Sequence, residues 1–270
     1  MHNIDRHRLQ AFPYHLVDPS PWPILISFSL LSMAIGAVLY FHGFNNGGYI
    51  LLLGFILTTS GMTLWFKDVI YEGTYLGHHT SQVQKGLTIG VALFIVSEVF
   101  AFLSIFWAFF HSSLAPTVEL GGSWPPYGVE SLDPFAVPLL NTILLLSSGA
   151  FITYGHHALI KGSRKGAIIG TFFTIVLAII FTALQAFEYK EAGFTIADSV
   201  FGSAFFCSTG LHGLHVIVGT IFILVGFIRM INYHLTDGHH QGFEASILYW
   251  HFVDVVWLFL FIAVYYWSGN

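Results

Sequence analysis

Residues 93–111 read LFIVSEVFAFLSIFWAFFH, a run of aliphatic and aromatic side chains with one acid, Glu98, near its middle. A bilayer core about 30 Å thick is crossed by roughly 20 apolar residues at a rise of 1.5 Å each, so the segment reads as a membrane span. Counted from Gly86, the Cα of Glu98 falls about 18 Å along such a helix, close to the midplane. No neighbour in the sequence solvates a carboxylate there.

The same pattern recurs on either side. Apolar stretches at 23–42, 48–66, 86–111, 138–157, 167–187, 200–230 and 243–267 make seven spans. Of the 270 residues 55% are apolar, 9% are charged and 28 are Phe, a balance that excludes a water-soluble domain and offers nothing to nucleic acid. The expected fold is all-α: one polytopic membrane domain over 1–270. It comprises an inner-side N-terminal segment at 1–22, helices 1 and 2 within 23–66, an inner loop at 67–85 and helices 3 to 7 within 86–267. The opening MHNIDRHRLQAF has no apolar core of the kind a secretory leader needs. Cys207 is the single cysteine, which excludes an intrachain disulfide and a multi-cysteine metal site. GLTIG at 86–90 and GAIIG at 166–170 set small residues four apart, a spacing suited to close helix approach.

Basic residues orient the chain, because Lys and Arg stay on the side from which a membrane protein inserts. One side holds Arg6, Arg8, Lys67, Lys85, Lys161, Arg164, Lys165 and Arg229, and the other only Lys190 among six acids that include Glu188. The N-terminus is expected inside and the C-terminus outside.

Chemistry must come from polar groups inside apolar helices, which cost roughly 2.5–3.5 kcal/mol each on insertion scales and usually face a partner or a water-filled cavity. Glu98 is one, with Ser97, Ser104 and Trp107 as its polar company along the helix. His212 and His215 lie three apart in the sixth span, and His251 and Asp254 three apart in the seventh, so each pair shares a helix face. Two uses are open. Converging histidines can ligate haem or copper, or His212 or His215 can pair with Asp254, or with a neighbouring subunit, to satisfy polar groups in lipid. Spacing does not separate them.

Ten of the 15 histidines fall on the inner side: His2, His7, His15, His234 and the doublets His78–His79, His156–His157 and His239–His240. Imidazoles titrate near neutrality, so such a surface suits proton exchange or lipid head-group contact. The doublets also suit metal binding, but the sequence offers no nearby acid or thiol that clearly completes a site.

Taken together, PSPWP at 19–23, GHHTSQVQKGL at 77–87, FIVSEVFAF at 94–102, FWAFFHSSLAP at 106–116, WPP at 124–126, PLLNT at 138–142, GLHGLHVIVG at 210–219 and YWHFVDVVWLFLF at 249–261 resemble the cytochrome c oxidase subunit III family. Their order and spacing cover nearly the whole chain, and the HSSLAPTVELGGSWPP form is similar to the mitochondrial branch. The resemblance implies seven helices arranged as a two-helix hairpin plus a five-helix bundle, with a lipid-filled V-shaped cleft. It implies a non-redox subunit with no catalytic or metal-binding residue of its own, haem a, haem a3 and copper being held by partner subunits. The implied partners are subunits I and II, small accessory subunits and phospholipids, with cytochrome c met only through the complex. The implied setting is the mitochondrial inner membrane, the N-terminus facing the matrix and the C-terminus the intermembrane space.

By the same resemblance, lipid contacts fall to Trp65, Glu72, His79, Arg229 and His234, whose indole, imidazole and guanidinium groups donate to phosphate oxygens. Tyr71 departs from the pattern, which has a second Arg there in animal members. Glu98 matches the family's carbodiimide-reactive acid, implying a buried protonated carboxyl. A proton-coupled transporter is the competing use of such an acid, but the chain shows neither an inverted repeat nor a helix broken near the midplane.

Overall fold

A computed structural model describes residues 12–268 of the chain. The long helices are α1 (Trp22–Phe41), α2 (Gly47–Tyr71), α3 (Ser81–Leu114), α4 (Val137–Ile160), α5 (Arg164–Glu191), α6 (Ser199–Ile231) and α7 (Gln241–Leu260). π-Helical turns at Glu72–Leu76 and Phe261–Tyr266 prolong α2 and α7. Among the described residues there is no strand, and all seven helices are long and apolar enough to cross a membrane.

Several helices overrun their apolar stretches: α3 begins at Ser81 rather than 86, and α5 runs from Arg164 to Glu191 rather than 167–187. Backbone hydrogen bonding continues into the polar flanks, where long side chains reach back toward water. Pro23 and Pro138 sit in the first turns of α1 and α4, where a missing N–H costs nothing.

Residues up to Leu87 form one compact unit and residues from Thr88 a second, so the division falls inside α3 and not in the loop before it. In the first unit α1 and α2 form a hairpin whose turn uses left-handed residues, Gly43 at φ 73° and Asn46 at φ 68°. The buried residues of α2 are Gly47, Gly54 and Gly61, one every seventh position, and α1 answers with Gly36. A Cβ on Gly36 would lie 2.4 Å from the backbone nitrogen of Leu51, and one on Gly54 2.6 Å from that of Met33. The helices therefore meet backbone to backbone. The Trp22 indole N–H donates to Asp68 across the hairpin.

The second unit packs around large side chains. Trp250, Trp257, Phe181, Phe205, Leu145 and Ile223 are buried at its centre, and α7 is the most enclosed helix. Gly155 and Gly170 bring α4 and α5 together, and a Cβ on Gly170 would lie 2.7 Å from the Phe151 carbonyl. The GAIIG stripe is thus a packing surface. A Cβ on Gly86 or Gly90 meets nothing within 4 Å among the described residues, so the GLTIG stripe makes no such approach there.

Candidate functional site

The acid of α3 finds its partner on α6. Glu98 Oε2 lies 2.7 Å from His215 Nε2. His215 Nδ1 is 2.7 Å from the Leu211 carbonyl. A carbonyl only accepts, so Nδ1 carries a hydrogen. One further proton then lies in the short contact: either the neutral acid donates to Nε2, or an imidazolium donates to a carboxylate. Both forms leave the pair with no net charge, which removes most of the cost of an acid at membrane depth. Phe102 meets the imidazole edge to face, and Tyr249 stacks alongside it, so the pair sits among aromatic rings. The serines near Glu98 in sequence do not serve it: Ser97 and Ser104 donate to the carbonyls of Phe94 and Ala101 on their own helix.

Of the pairings the sequence left open, that of His212 or His215 with Asp254 is not the one adopted. His212 is fully enclosed and its Nε2 lies 3.2 Å from the Val253 carbonyl on α7, so it donates to a backbone group. Asp254 Oδ2 faces His251 Nδ1 on its own helix at 3.4 Å, and His251 Nε2 reaches the Thr153 hydroxyl on α4 at 3.2 Å. Gly149 makes room for this cluster, because a Cβ there would fall 2.5 Å from Asp254 Oδ2. Residues three apart share a face, yet His212 and His215 address different helices.

Four buried groups were not read as partners from the sequence. Asn141 of α4 donates to Gln185 of α5 at 3.3 Å, Gln185 donates to Glu188 at 3.2 Å, and the Tyr265 hydroxyl donates to Glu188 at 2.6 Å. Glu188, counted above as an outer-face acid, is buried in the last turns of α5. The unused signal was three amide or acid side chains inside or at the edge of apolar spans. Trp250 to Ser148 and Trp257 to Thr142, both at 2.9 Å, complete the polar seams between α4 and α7.

The residues assigned to lipid lie in two groups. In the first unit Trp65 is exposed on α2, and Glu72 lies 3.9 Å from His15, whose ring also meets His78 and His79. Tyr71 is exposed and packs on Tyr75. In the second unit Arg229 ends α6 and lies against the start of α7, where a Cβ on Gly242 would be 2.9 Å from its guanidinium. His234 follows in the α6–α7 connection. Arg164 was not singled out from sequence, yet it caps α6: its guanidinium donates to the Ile231 carbonyl at 2.8 Å and lies 3.7 Å over the Tyr233 ring.

Of the inner-side histidines, His2 and His7 fall outside the described residues. Burial, with Arg229 and His240 beside it, pushes the His239 imidazole below its ordinary value and favours its neutral form. Among the described residues, two clusters converge closely enough to hold a metal ion: His15 with Glu72 and His79, and His156 with His240 and Glu244. The second corrects the expectation that no acid stands by the doublets, since Glu244 lies one turn beyond His240 and 3.2 Å from its Nε2.

These features define a seven-span helical membrane protein in which Glu98, Glu188 and Asp254 of the second unit each meet a side chain of that unit. Across residues 12–269 the chain matches the family model described as cytochrome c oxidase subunit III. It is 62% identical to cytochrome c oxidase subunit 3 of Mycosarcoma maydis, covering 98% of each chain. It is also 62% identical to that of Rhizopus stolonifer, over 97% of this chain and 92% of the relative, and 60% identical to that of Neurospora crassa over the full length of both. The chain belongs to the cytochrome c oxidase subunit III family.

Proposed function

We propose that the chain works as the non-redox third subunit of a mitochondrial cytochrome c oxidase, the multi-subunit complex that oxidises cytochrome c, reduces oxygen to water and moves protons. Electron transfer then belongs to haem a, haem a3 and copper in subunits I and II, and this chain stabilises subunit I and sustains proton uptake. One observation supports the non-redox reading: His212, His215 and His251, the imidazoles of the sixth and seventh spans, already have protein partners. His215 is held by Glu98 and Leu211, His212 by Val253, and His251 by Thr153 and Asp254. The eight-to-one division of basic residues supports a matrix-facing N-terminus.

In this reading Glu98 and His215 form a proton-sharing clasp between α3 and α6 that modulates turnover and is no obligatory proton channel. No chain of protonatable side chains continues from Glu98 along α3. Glu98→Gln keeps a donor for His215 Nε2 while removing ionisation. The assembled variant should reduce oxygen at near-native rate, lose carbodiimide labelling of this subunit and lose at most part of its proton pumping. Complete loss of pumping in a fully assembled variant would overturn the modulatory role.

Trp65, Glu72 and His79 in one unit and Arg229 and His234 in the other serve as head-group contacts, because each set places donors at the end of an apolar helix. Arg229→Ala should lower the phospholipid retained by the purified complex and shorten its working lifetime more than its initial rate. Unchanged phosphorus content per complex is the result that removes Arg229 from this role.

A further inference from the structure

We propose that His156, His240 and Glu244 form a divalent metal site, suited to zinc, that clips the end of α4 to the start of α7. Their ligand atoms form a small triangle: His156 Nε2 to His240 Nε2 is 3.3 Å, His240 Nε2 to Glu244 Oε1 3.2 Å, and His156 Nε2 to Glu244 Oε1 3.8 Å. Zinc bonds of about 2.0–2.1 Å in tetrahedral geometry separate neighbouring ligand atoms by roughly 3.3 Å. The triangle therefore needs an adjustment of only a few tenths of an ångström on one edge.

The hydrogen bonding around it points the same way. His240 Nδ1 lies 2.9 Å from the Thr236 carbonyl, which only accepts, so Nδ1 carries the hydrogen and the neutral ring turns a lone pair on Nε2 into the triangle. This is the outer-sphere arrangement that orients metal-binding histidines. Thr236 is itself tied down, its hydroxyl accepting from His239 N–H at 3.0 Å and its own N–H donating to the His239 carbonyl at 3.3 Å. Without a cation, with both rings neutral, at most one proton, on His156 Nε2, serves two facing acceptors, His240 Nε2 and Glu244 Oε1. A divalent cation satisfies all three atoms at once.

Burial is graded across the site, with side-chain exposures of 7% for His240, 23% for His156 and 49% for Glu244. The ion would be gripped from inside and open on one side, leaving a fourth position for water. Two imidazoles and a carboxylate suit zinc or copper(II) and not magnesium or calcium, which prefer oxygen. The other cluster, His15 with Glu72 and His79, is looser, with Glu72 3.9 Å from His15.

The test uses the intact purified oxidase complex, stripped with a chelator and dialysed against zinc. Native complex should hold one more zinc than the His240→Ala complex, and Glu244→Gln, a change at a half-exposed position, should weaken that zinc at least about tenfold. His157→Ala, at the exposed neighbour of His156, should change neither number. Cobalt(II) loaded in place of zinc should show ligand-field absorption in the native complex that is missing from His240→Ala. Should His240→Ala fail to assemble, Glu244→Gln alone decides. Native zinc affinity in Glu244→Gln, or equal competition by magnesium for the extra zinc, would overturn the site and leave a hydrogen-bonded His–His–Glu cluster.

Discussion

The α1–α2 hairpin and the unit from Thr88 onward solve the problem of helix association in lipid by opposite means. In the hairpin the buried positions are mostly glycines, and backbone meets backbone at Gly36, Gly47 and Gly54. In the second unit the buried positions carry Trp250, Trp257, Tyr265 and several phenylalanines, and polar side chains bond across helices. Lipid tails are as apolar as leucine, so neither unit draws on a hydrophobic drive between helices. The hairpin relies on close van der Waals approach, while the second unit adds hydrogen bonds that lipid does not supply. A surface built on missing side chains has no slack, whereas one built on many bonds loses them singly.

The largest effect should therefore follow the smallest change. Gly54→Ala places a methyl group against the Met33 backbone, which has no rotamer to shift, and overpacking of this kind costs about 3 kcal/mol at the top of the usual range. Thermal inactivation of the oxidase complex should come markedly earlier, and native stability in this variant would break the comparison. Trp257→Phe removes the bond to Thr142 and should cost about 1 kcal/mol, since hydrogen bonds between membrane helices contribute modestly. Thr142 also donates to the Pro138 carbonyl at 2.9 Å and keeps that partner. A double-mutant cycle with Thr142→Ala measures the shared part. Gly86→Ala should leave stability unchanged or raise it by up to about 1 kcal/mol, because the added methyl meets nothing among the described residues and alanine is the better helix former. A large loss there would mean that another chain packs against this position.

Seven spans were legible because membrane crossing is a matter of length and apolar content, both written locally. Helix ends were not, since Ser81, Gln82, Gln84 and Lys85 belong to α3 without being apolar. Partnerships were the least legible. A spacing of three tells which face His215 shares with His212, but not that Glu98, 117 positions away, stands opposite. Glu244 was within reach, as it lies four residues after His240 on a helix, a spacing that brings side chains together. Glu188 was counted from sequence only for its side of the membrane because it stands at the edge of its span, and the arrival of Tyr265 and Gln185 shows that it is buried within the bundle.

The length of α3 has a consequence for the membrane around it. From Gly86 to Phe110 the helix carries apolar residues interrupted by a few small polar ones and Glu98. That stretch is about 37 Å at 1.5 Å per residue, against a hydrocarbon layer of about 30 Å. The helix must lean, or the lipid beside it must thicken, each at a fraction of a kcal/mol per ångström of mismatch. A bilayer of longer acyl chains relieves that strain and a thinner one increases it, so this subunit carries its own preference for membrane thickness.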